Sequence, residues 1–263
     1  MPALSRHRHV FRLVLASLVT LAWLTLWLWT RSPYGRYLDH GDWMTSGPAA
    51  VLCRAIPGGT LIVPAVLYAL SWTLMILAMM LPTTVSLFNT FDRVVALRPD
   101  RMRLLFLLGL GYVTAWSAFG LLAHGLHALL AAGIARVPVL AWHGWLIGAA
   151  TLAGAGAFQF SELKYRCLDK CRTPLSFVIS RWRGRAPERH AFMLGLRHGL
   201  FCVGCCWALM LLMFVVGAGS LGWMLVLAAA MAIEKNVTWG RQLSAPLGMA
   251  LLTWAAVLAA THV

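Results

Sequence analysis

The chain has 263 residues, of which 60% are hydrophobic and only 11% are charged, whereas a soluble domain usually has about 45–50% apolar and about 25% charged residues. Its 22 basic residues outnumber the 8 acidic ones and give a formal net charge of +14. This composition excludes an ordinary soluble enzyme, a disordered chain and a secreted chain held together by disulfides.

Uncharged apolar runs of about 20 residues are long enough to cross a bilayer as helices. In chain order the candidate runs are 13–30, 60–88, 104–132, 139–160, 199–217, 221–233 and 245–260. The pattern predicts an all-α protein, a polytopic bundle of about seven transmembrane helices that forms a single domain over 1–263. The sixth run is short and follows a Gly-Ala-Gly-Ser turn, so it either spans the membrane or is half of a re-entrant pair.

The basic residues predict the orientation of these runs, because Lys and Arg are enriched in short cytoplasmic loops. With the N-terminus inside, most of the 22 basic residues fall in inner segments. The largest group lies in 161–197, predicted as a basic cytoplasmic loop beside anionic lipid headgroups. We therefore expect a multi-pass protein of a bacterial inner membrane, with the bilayer as a partner. No nucleic acid is expected, because interleaved aromatic residues and known binding motifs are missing from this segment.

Most of the cysteine lies in two clusters, which the predicted topology places near the cytoplasmic face. The clustered residues are Cys167, Cys171, Cys202, Cys205 and Cys206. Cys53 stands apart in a predicted outer loop. Thiols on the cytoplasmic side are kept reduced, so metal binding or thiolate chemistry is expected rather than structural disulfides.

Helical spacing places several possible metal ligands on one face of the fifth run. These residues are His198, Cys202, Cys206, Met210 and Met213. The second run carries Met75, Met79 and Met80, and Glu234 lies at the inner end of the sixth run. Soft thiolate and thioether ligands select Cu(I), or zinc and iron–sulfur clusters when thiolates dominate. Packing is the alternative role for each methionine, and Lys235 offers Glu234 a simple ion-pair partner.

The start of the fifth helix decides how its first cysteine is expected to behave. A helix that begins near Gly199 would place its positive end beside Cys202 and favour the thiolate. If the helix begins at Pro187 instead, this effect is lost.

Four segments carry motifs rich in cysteine, methionine and tryptophan. They are Trp72–Pro82, Leu163–Pro174, Gly195–Met210 and Trp223–Lys235. The third contains the specific pattern Cys-x-x-Cys-Cys-Trp. Together, from Ser71 to Lys235, they resemble an uncharacterised bacterial family of predicted metal-binding integral membrane proteins, classed as a domain of unknown function. The resemblance implies a membrane metal site built from these cysteines and methionines, without identifying the metal or the activity.

The sequence thus predicts an inner-membrane protein that binds a soft transition metal, with Cu(I) as the first choice, in metal handling or delivery. The core ligands would be Cys202, Cys205 and Cys206. The additional candidate ligands are Met75, Met79, Met80, Met210, His198 and Glu234. Cys167 and Cys171 are also candidate ligands and would form a cytoplasmic docking pair. The expected protein partner is a metallochaperone or a membrane or periplasmic protein.

Two other functions fit the same residues. A membrane thiol oxidoreductase would use Cys202 and Cys205 as a redox pair, although the predicted cytoplasmic depth of these residues disfavours this enzyme. A scaffold subunit would use its sulfur-containing residues for packing only. An enzyme is therefore the less expected class.

Overall fold

The computed structural model describes residues 2–31, 59–134, 144–182, 186–216 and 220–262. Every regular element in this part of the chain is helical, which confirms the predicted all-α fold. In chain order the α-helices are α1 (Pro2–Arg31), α2 (Gly59–Met79), α3 (Val85–Val94), α4 (Arg101–Ile134), α5 (Gly144–Phe158), α6 (Glu162–Arg172), α7 (Pro174–Arg181), α8 (Pro187–Val216), α9 (Leu221–Asn236) and α10 (Ser244–His262). Cys53 and the start of the run predicted at 139–160 lie outside the described residues.

Four helical segments of the described chain are long and apolar enough to cross a membrane. They are Leu13–Arg31, Arg101–Leu130, Pro187–Met213 and Gly240–Thr261. A fifth span would be the bent pair Ala65–Met79 and Pro82–Val94, which turns by 50°. The runs predicted at 139–160 and 221–233 fold as the shorter helices α5 and α9. The count of seven spans and their orientation therefore remain predictions.

The bend between α2 and α3 follows from Pro82, which has no N–H to donate to the preceding turn. A short 3₁₀ helix connects the two α-helices at this point. The hydroxyl groups of Thr83 and Thr84 donate to the carbonyl oxygens of Met80 and Leu81 at 2.8 and 2.7 Å. Both carbonyl groups also accept from backbone N–H groups, whereas the carbonyl oxygen of Ala78, four residues before Pro82, accepts from the indole N–H of Trp23 at 3.1 Å.

The described chain divides into two compact units. Unit 1 comprises Met1–Ser117 and Thr173–Leu200, and unit 2 comprises Ala118–Arg172 and Phe201–Val263. The sequence of α4 and that of α8 each contribute to both units. All five clustered cysteines belong to unit 2, so the candidate metal centre can be described within that unit alone.

Unit 1 contains indole hydrogen bonds and a buried ion pair. The indole N–H of Trp72 on α2 donates to the carbonyl oxygen of Trp116 on α4 at 2.9 Å. Asp92 near the end of α3 and Arg101 at the start of α4 form an ion pair of 2.5 Å. Both charged side chains are buried, so each compensates the desolvation of the other.

In unit 2, α5 packs against α10 and α6 packs against α9. A 3₁₀ helix, Gly240–Leu243, leads from the end of α9 into α10. Gly156 and Gly248 give α5 and α10 a close approach, because a Cβ added at Gly156 would lie 3.0 Å from the carbonyl oxygen of Gly248. The packing of α6 against α9 positions the first cysteine pair.

The segment 161–197, predicted as one basic loop, contains α6, α7 and the first turns of α8. Proline is favoured in the first turn of a helix, and an acidic residue there interacts well with the helix dipole. Pro187 and Glu188 supply both signals. Since α8 begins about four turns before Cys202, its N-terminus has no direct effect on that thiol.

Two glycines bring α4 and α8 into backbone contact within unit 1. A Cβ added at Gly111 would overlap the carbonyl oxygen of Phe192, and a Cβ added at Gly195 would overlap that of Leu108. Small residues allow helices to approach in this way in membrane proteins. Any side chain at these positions would force the helices apart.

We predict that Gly111→Ala destabilises the protein by about 1–3 kcal/mol, the usual cost of overpacking. Gly125→Ala on the same helix is the matched control, because a Cβ added there would meet nothing within 4 Å apart from the backbone of its own helix. Thermal unfolding of the purified variants in detergent, followed by circular dichroism, measures the effect. An equal melting temperature for the two variants would contradict the backbone contact.

Candidate metal centre

Five buried thiols come together from two helices of unit 2. On α6, the thiols of Cys167 and Cys171 lie one turn apart, on the same face, and each residue is 8% exposed. On α8, the spacing of Cys202, Cys205 and Cys206 also places them on neighbouring positions of one face. These three residues are each only 1% exposed.

The sulfur atoms of the two helices lie within reach of one another. The Sγ atoms of Cys171 and Cys205 are 4.0 Å apart, although 34 residues separate them in the chain. The Sγ atoms of Cys205 and Cys206 are 3.4 Å apart. Cys171 also interacts with Cys202 through its side chain. These five cysteine side chains form the thiol cluster. Cys205 is at its centre, with neighbours on both helices.

Gly204 makes room for the thiol of Cys167, the remaining member of the thiol cluster. A Cβ added at Gly204 would lie 2.6 Å from the Sγ atom of Cys167 and 3.4 Å from its Cβ atom. A residue larger than glycine at this position would displace the thiol of Cys167. The glycine inside the Cys-x-x-Cys-Cys pattern thus fits α6 closely against α8.

The separation of the cross-helix pair matches that of two sulfurs on one metal ion. Two ligands at about 2.3 Å each from a metal lie about 4 Å apart, which the pair of Cys171 and Cys205 meets. Across the described residues, no group of three or more His, Cys, Asp or Glu side chains forms a ready metal site. Thiolate ligands are soft, and such ligands select Cu(I), or zinc when thiolates dominate.

Both α6 thiols are protonated near neutral pH in the absence of metal. Burial raises the pKa of the Cys167 thiol. Hydrogen bonding with Cys202 raises the pKa of the Cys171 thiol well above its usual value, and burial contributes to the same shift. Metal binding to these thiols would accordingly release protons.

A buried lysine supplies positive charge at the thiol cluster. The ammonium group of Lys235, at the end of α9, donates a hydrogen bond of 2.9 Å to the Sγ atom of Cys202. Lys235 is only 6% exposed. A charge-assisted bond of this kind can balance a thiolate in a low-dielectric environment.

Next to Lys235, a polar network links α6 to the corner between α9 and α10. The ammonium group of Lys164 forms an ion pair of 2.6 Å with the Oε1 atom of Glu234 and also donates to Gln159. The hydroxyl of Ser244 donates to the same Oε1 atom at 2.6 Å. The Oε2 atom of Glu234 is buried and has no partner among the described residues. All four side chains are inaccessible to water.

Arg172 holds the end of α6 against the end of α9. Its guanidinium group donates to the carbonyl oxygen of Glu234 and, at 2.7 Å, to that of Thr238. These carbonyl groups lie at or beyond the last turn of α9, where helices leave acceptors unsatisfied. Because Arg172 follows Cys171 directly, this contact fixes the cysteine pair of α6.

The predicted candidate residues divide between the two units. Cys167, Cys171, Cys202, Cys205, Cys206, Met210 and Glu234 belong to unit 2, whereas Met75, Met79, Met80 and His198 belong to unit 1. The ring of His198 lies 5.3 Å from that of Phe177 and 6.2 Å from that of Tyr112. The four methionines are buried. A ligand role for the methionines and for His198 stays a prediction.

Comparison with known proteins identifies the family. The family PpoB2, described as copper chaperone, matches residues 69–258, which is most of the chain. The chain belongs to this family. No curated protein and no solved structure matches it. The description of this family suggests an association with copper and is consistent with metal handling. Metal binding by this chain and its membrane location remain predictions.

Three charged residues of this PpoB2 protein were not predicted from the sequence in their observed roles. Lys235 follows Glu234 directly and was expected to pair with it, but Glu234 pairs with Lys164 and Lys235 binds Cys202. Arg172 was counted only as an orientation signal. The available clue was the position of Lys164 and Arg172 on the same helix as two cysteines in an otherwise apolar chain.

We predict that Lys164→Met destabilises this PpoB2 protein by about 3–5 kcal/mol, because it leaves the carboxylate of Glu234 buried without its counterion. The double variant Lys164→Met/Glu234→Gln should recover much of that loss. Arg166→Met is the matched control on α6, since its ion pair with Glu162 is exposed and contributes little. Thermal unfolding in detergent measures all three, and a small effect of Lys164→Met alone would contradict the buried pair.

Proposed function

We propose that this member of the copper-chaperone family binds Cu(I) as cargo through the buried thiols of unit 2 and passes it to a partner. The observation that carries the proposal is the cross-helix pair, in which the Sγ atoms of Cys171 and Cys205 are 4.0 Å apart. Cys206 and Cys202 lie beside this pair, as additional sulfur donors. Thiolate sulfur is the ligand that selects Cu(I) over harder ions.

The charge of the site supports a monovalent copper ion. Two thiolates and one Cu(I) leave a net charge of −1, and the ammonium group of Lys235 beside Cys202 balances it. A buried uncompensated charge is costly. The lysine therefore makes copper loading compatible with burial.

The exposure of the thiols supports a direction of transfer. Cys167 and Cys171 on α6 are each 8% exposed, whereas the three cysteines of α8 are each 1% exposed. The greater exposure of the two α6 residues supports their role as the docking pair in this proposal. The partner we propose is a metallochaperone or a membrane copper protein.

The described apolar helices support a membrane location for this exchange. Four of them are long enough to span a bilayer, and the distribution of basic residues favours a cytoplasmic N-terminus in a bacterial inner membrane. In that orientation both cysteine clusters lie on the reducing side, where thiols remain available for copper.

A thiol oxidoreductase that uses Cys202 and Cys205 is the alternative, and burial argues against it. Thiol–disulfide exchange requires a partner sulfur to approach the attacking thiolate along an open path. Both thiols of that proposed pair are 1% exposed. Cu(I), in contrast, is a single ion that can be passed from thiol to thiol.

We predict that Cys171→Ser and Cys205→Ser each lower the copper content at least about tenfold, because even the loss of a group that only hydrogen-bonds to a metal ligand costs about 10–100-fold in metal affinity. The full chain is purified in detergent, loaded with Cu(I) under reducing conditions, challenged with a chelator and analysed for copper. Cys53→Ser is the matched control, since the sequence separates Cys53 from both clusters.

The triple variant Cys202→Ser/Cys205→Ser/Cys206→Ser tests the α8 cluster in the same assay. Equal copper in this variant and in the wild type would remove the proposal. Trapping a mixed disulfide at Cys202 or Cys205 with a small-molecule disulfide, at full copper content, would favour the oxidoreductase instead.

We also predict that Lys235→Met weakens Cu(I) binding by about 10–100-fold, the range for changes next to a metal ligand. Lys235→Arg keeps the positive charge and should retain more of the affinity than Lys235→Met. Chelator competition measures both values. Equal affinities in the wild type and Lys235→Met would show that this charge does not balance the thiolates.

A further inference from the structure

A cavity in unit 1 lies between α7 and the first turns of α8, and no residue of the thiol cluster lines it. Its volume is about 420 Å³, within the range of about 300–1,000 Å³ that is typical of ligand sites. The lining residues are Ser180, Arg181, Arg189, His190, Met193, Leu194 and Arg197. The cavity is therefore strongly basic, and no acidic side chain is among the described residues that line it.

The spacing on α8 produces this concentration of positive charge. Arg189, Met193 and Arg197 recur every four residues, so they share one face of the helix. The nearest acidic residue of α8, Glu188, pairs instead with Arg103 at 2.9 Å. It therefore does not neutralise the arginines of the cavity.

On the other side of the cavity, contacts within α7 hold the third arginine. The guanidinium group of Arg181 lies 4.5 Å from the ring centre of Phe177, in a cation–π contact. It also donates to the hydroxyl of Ser180 at 3.3 Å. An arginine held in this way keeps a planar set of donors beside the cavity.

Helix α7 also carries exposed apolar side chains. Leu175 and Ile179 are 58% and 64% exposed, whereas Phe177 and Val178 are buried. Val178 and Ile179 are adjacent, so the helix places apolar residues on both its buried and its exposed sides. An apolar surface beside basic residues is typical of a helix that lies at a membrane interface.

We propose that the cavity binds the phosphate group of an anionic phospholipid. Guanidinium groups bind phosphate oxygens through paired hydrogen bonds, and three of them line the cavity. Free phosphate would use the arginines alone, whereas the exposed apolar side chains of α7 favour a position of this helix at a lipid surface. The lipid therefore fits the combination of charge and apolar surface better than a free anion does.

The test measures lipid binding to the full chain in detergent. The protein is delipidated, mixed with phosphatidylglycerol or phosphatidylcholine, and analysed by native mass spectrometry for bound lipid. We expect tighter binding of phosphatidylglycerol, and about 25-fold weaker binding of it in Arg189→Gln/Arg197→Gln, from about 1 kcal/mol per basic residue. Inorganic phosphate at millimolar concentration should displace little of the lipid.

Arg93→Gln/Arg166→Gln is the matched control, because it removes the same charge from two exposed arginines that do not line the cavity. It should bind phosphatidylglycerol as the wild type does. Equal losses in both double variants, equal binding of the two lipids, or complete displacement by phosphate would overturn the proposal. Copper content of Arg189→Gln/Arg197→Gln should equal that of the wild type, since the site does not depend on the thiols.

Discussion

The constraint on which unit 2 depends is the cost of burying charge in an apolar helical protein. Lys164 and Glu234 are both inaccessible to water, yet they come from segments 70 residues apart in the chain. An isolated charge at such depth would be prohibitive, so the pair forms only when α6, α9 and α10 assemble together. The same assembly brings the cysteines of α6 to those of α8. In this unit, charge neutralisation and thiol clustering have one structural cause.

The fold could be predicted from the sequence in its main features but not in its helix boundaries. Apolar runs separated by basic segments indicate helices, because each run has a length that a single helix can explain. The start of α8 was the uncertain point. Pro187 and Glu188 mark it locally, but the apolar run begins only near Gly199, so composition and capping signals disagree. The structure follows the capping signals.

The candidate site could be predicted as a set of residues but not as a geometry. Two clusters of cysteine in a predicted membrane protein indicate soft-metal chemistry, and the copper-chaperone family agrees. Spacing within one helix shows that Cys202 and Cys206 share a face. It cannot show that Cys205 meets Cys171, because that contact depends on the packing of α6, which Gly204 and Arg172 determine. Pairings between helices require the tertiary structure.

The last turn of α9 has a consequence for how stability and cargo depend on each other. Glu234 and Lys235 are neighbours in sequence. Glu234 forms the buried ion pair with Lys164 of α6, whereas Lys235 donates a hydrogen bond to Cys202 of the thiol cluster. A ligand that binds only the folded state stabilises that state by mass action. Fraying of this last turn would disturb both the ion pair of Glu234 with Lys164 and the hydrogen bond from Lys235 to Cys202. Copper bound at the proposed thiol site would therefore be linked thermodynamically to local unfolding of α9, so the loaded and empty proteins would differ in how readily this helix end opens.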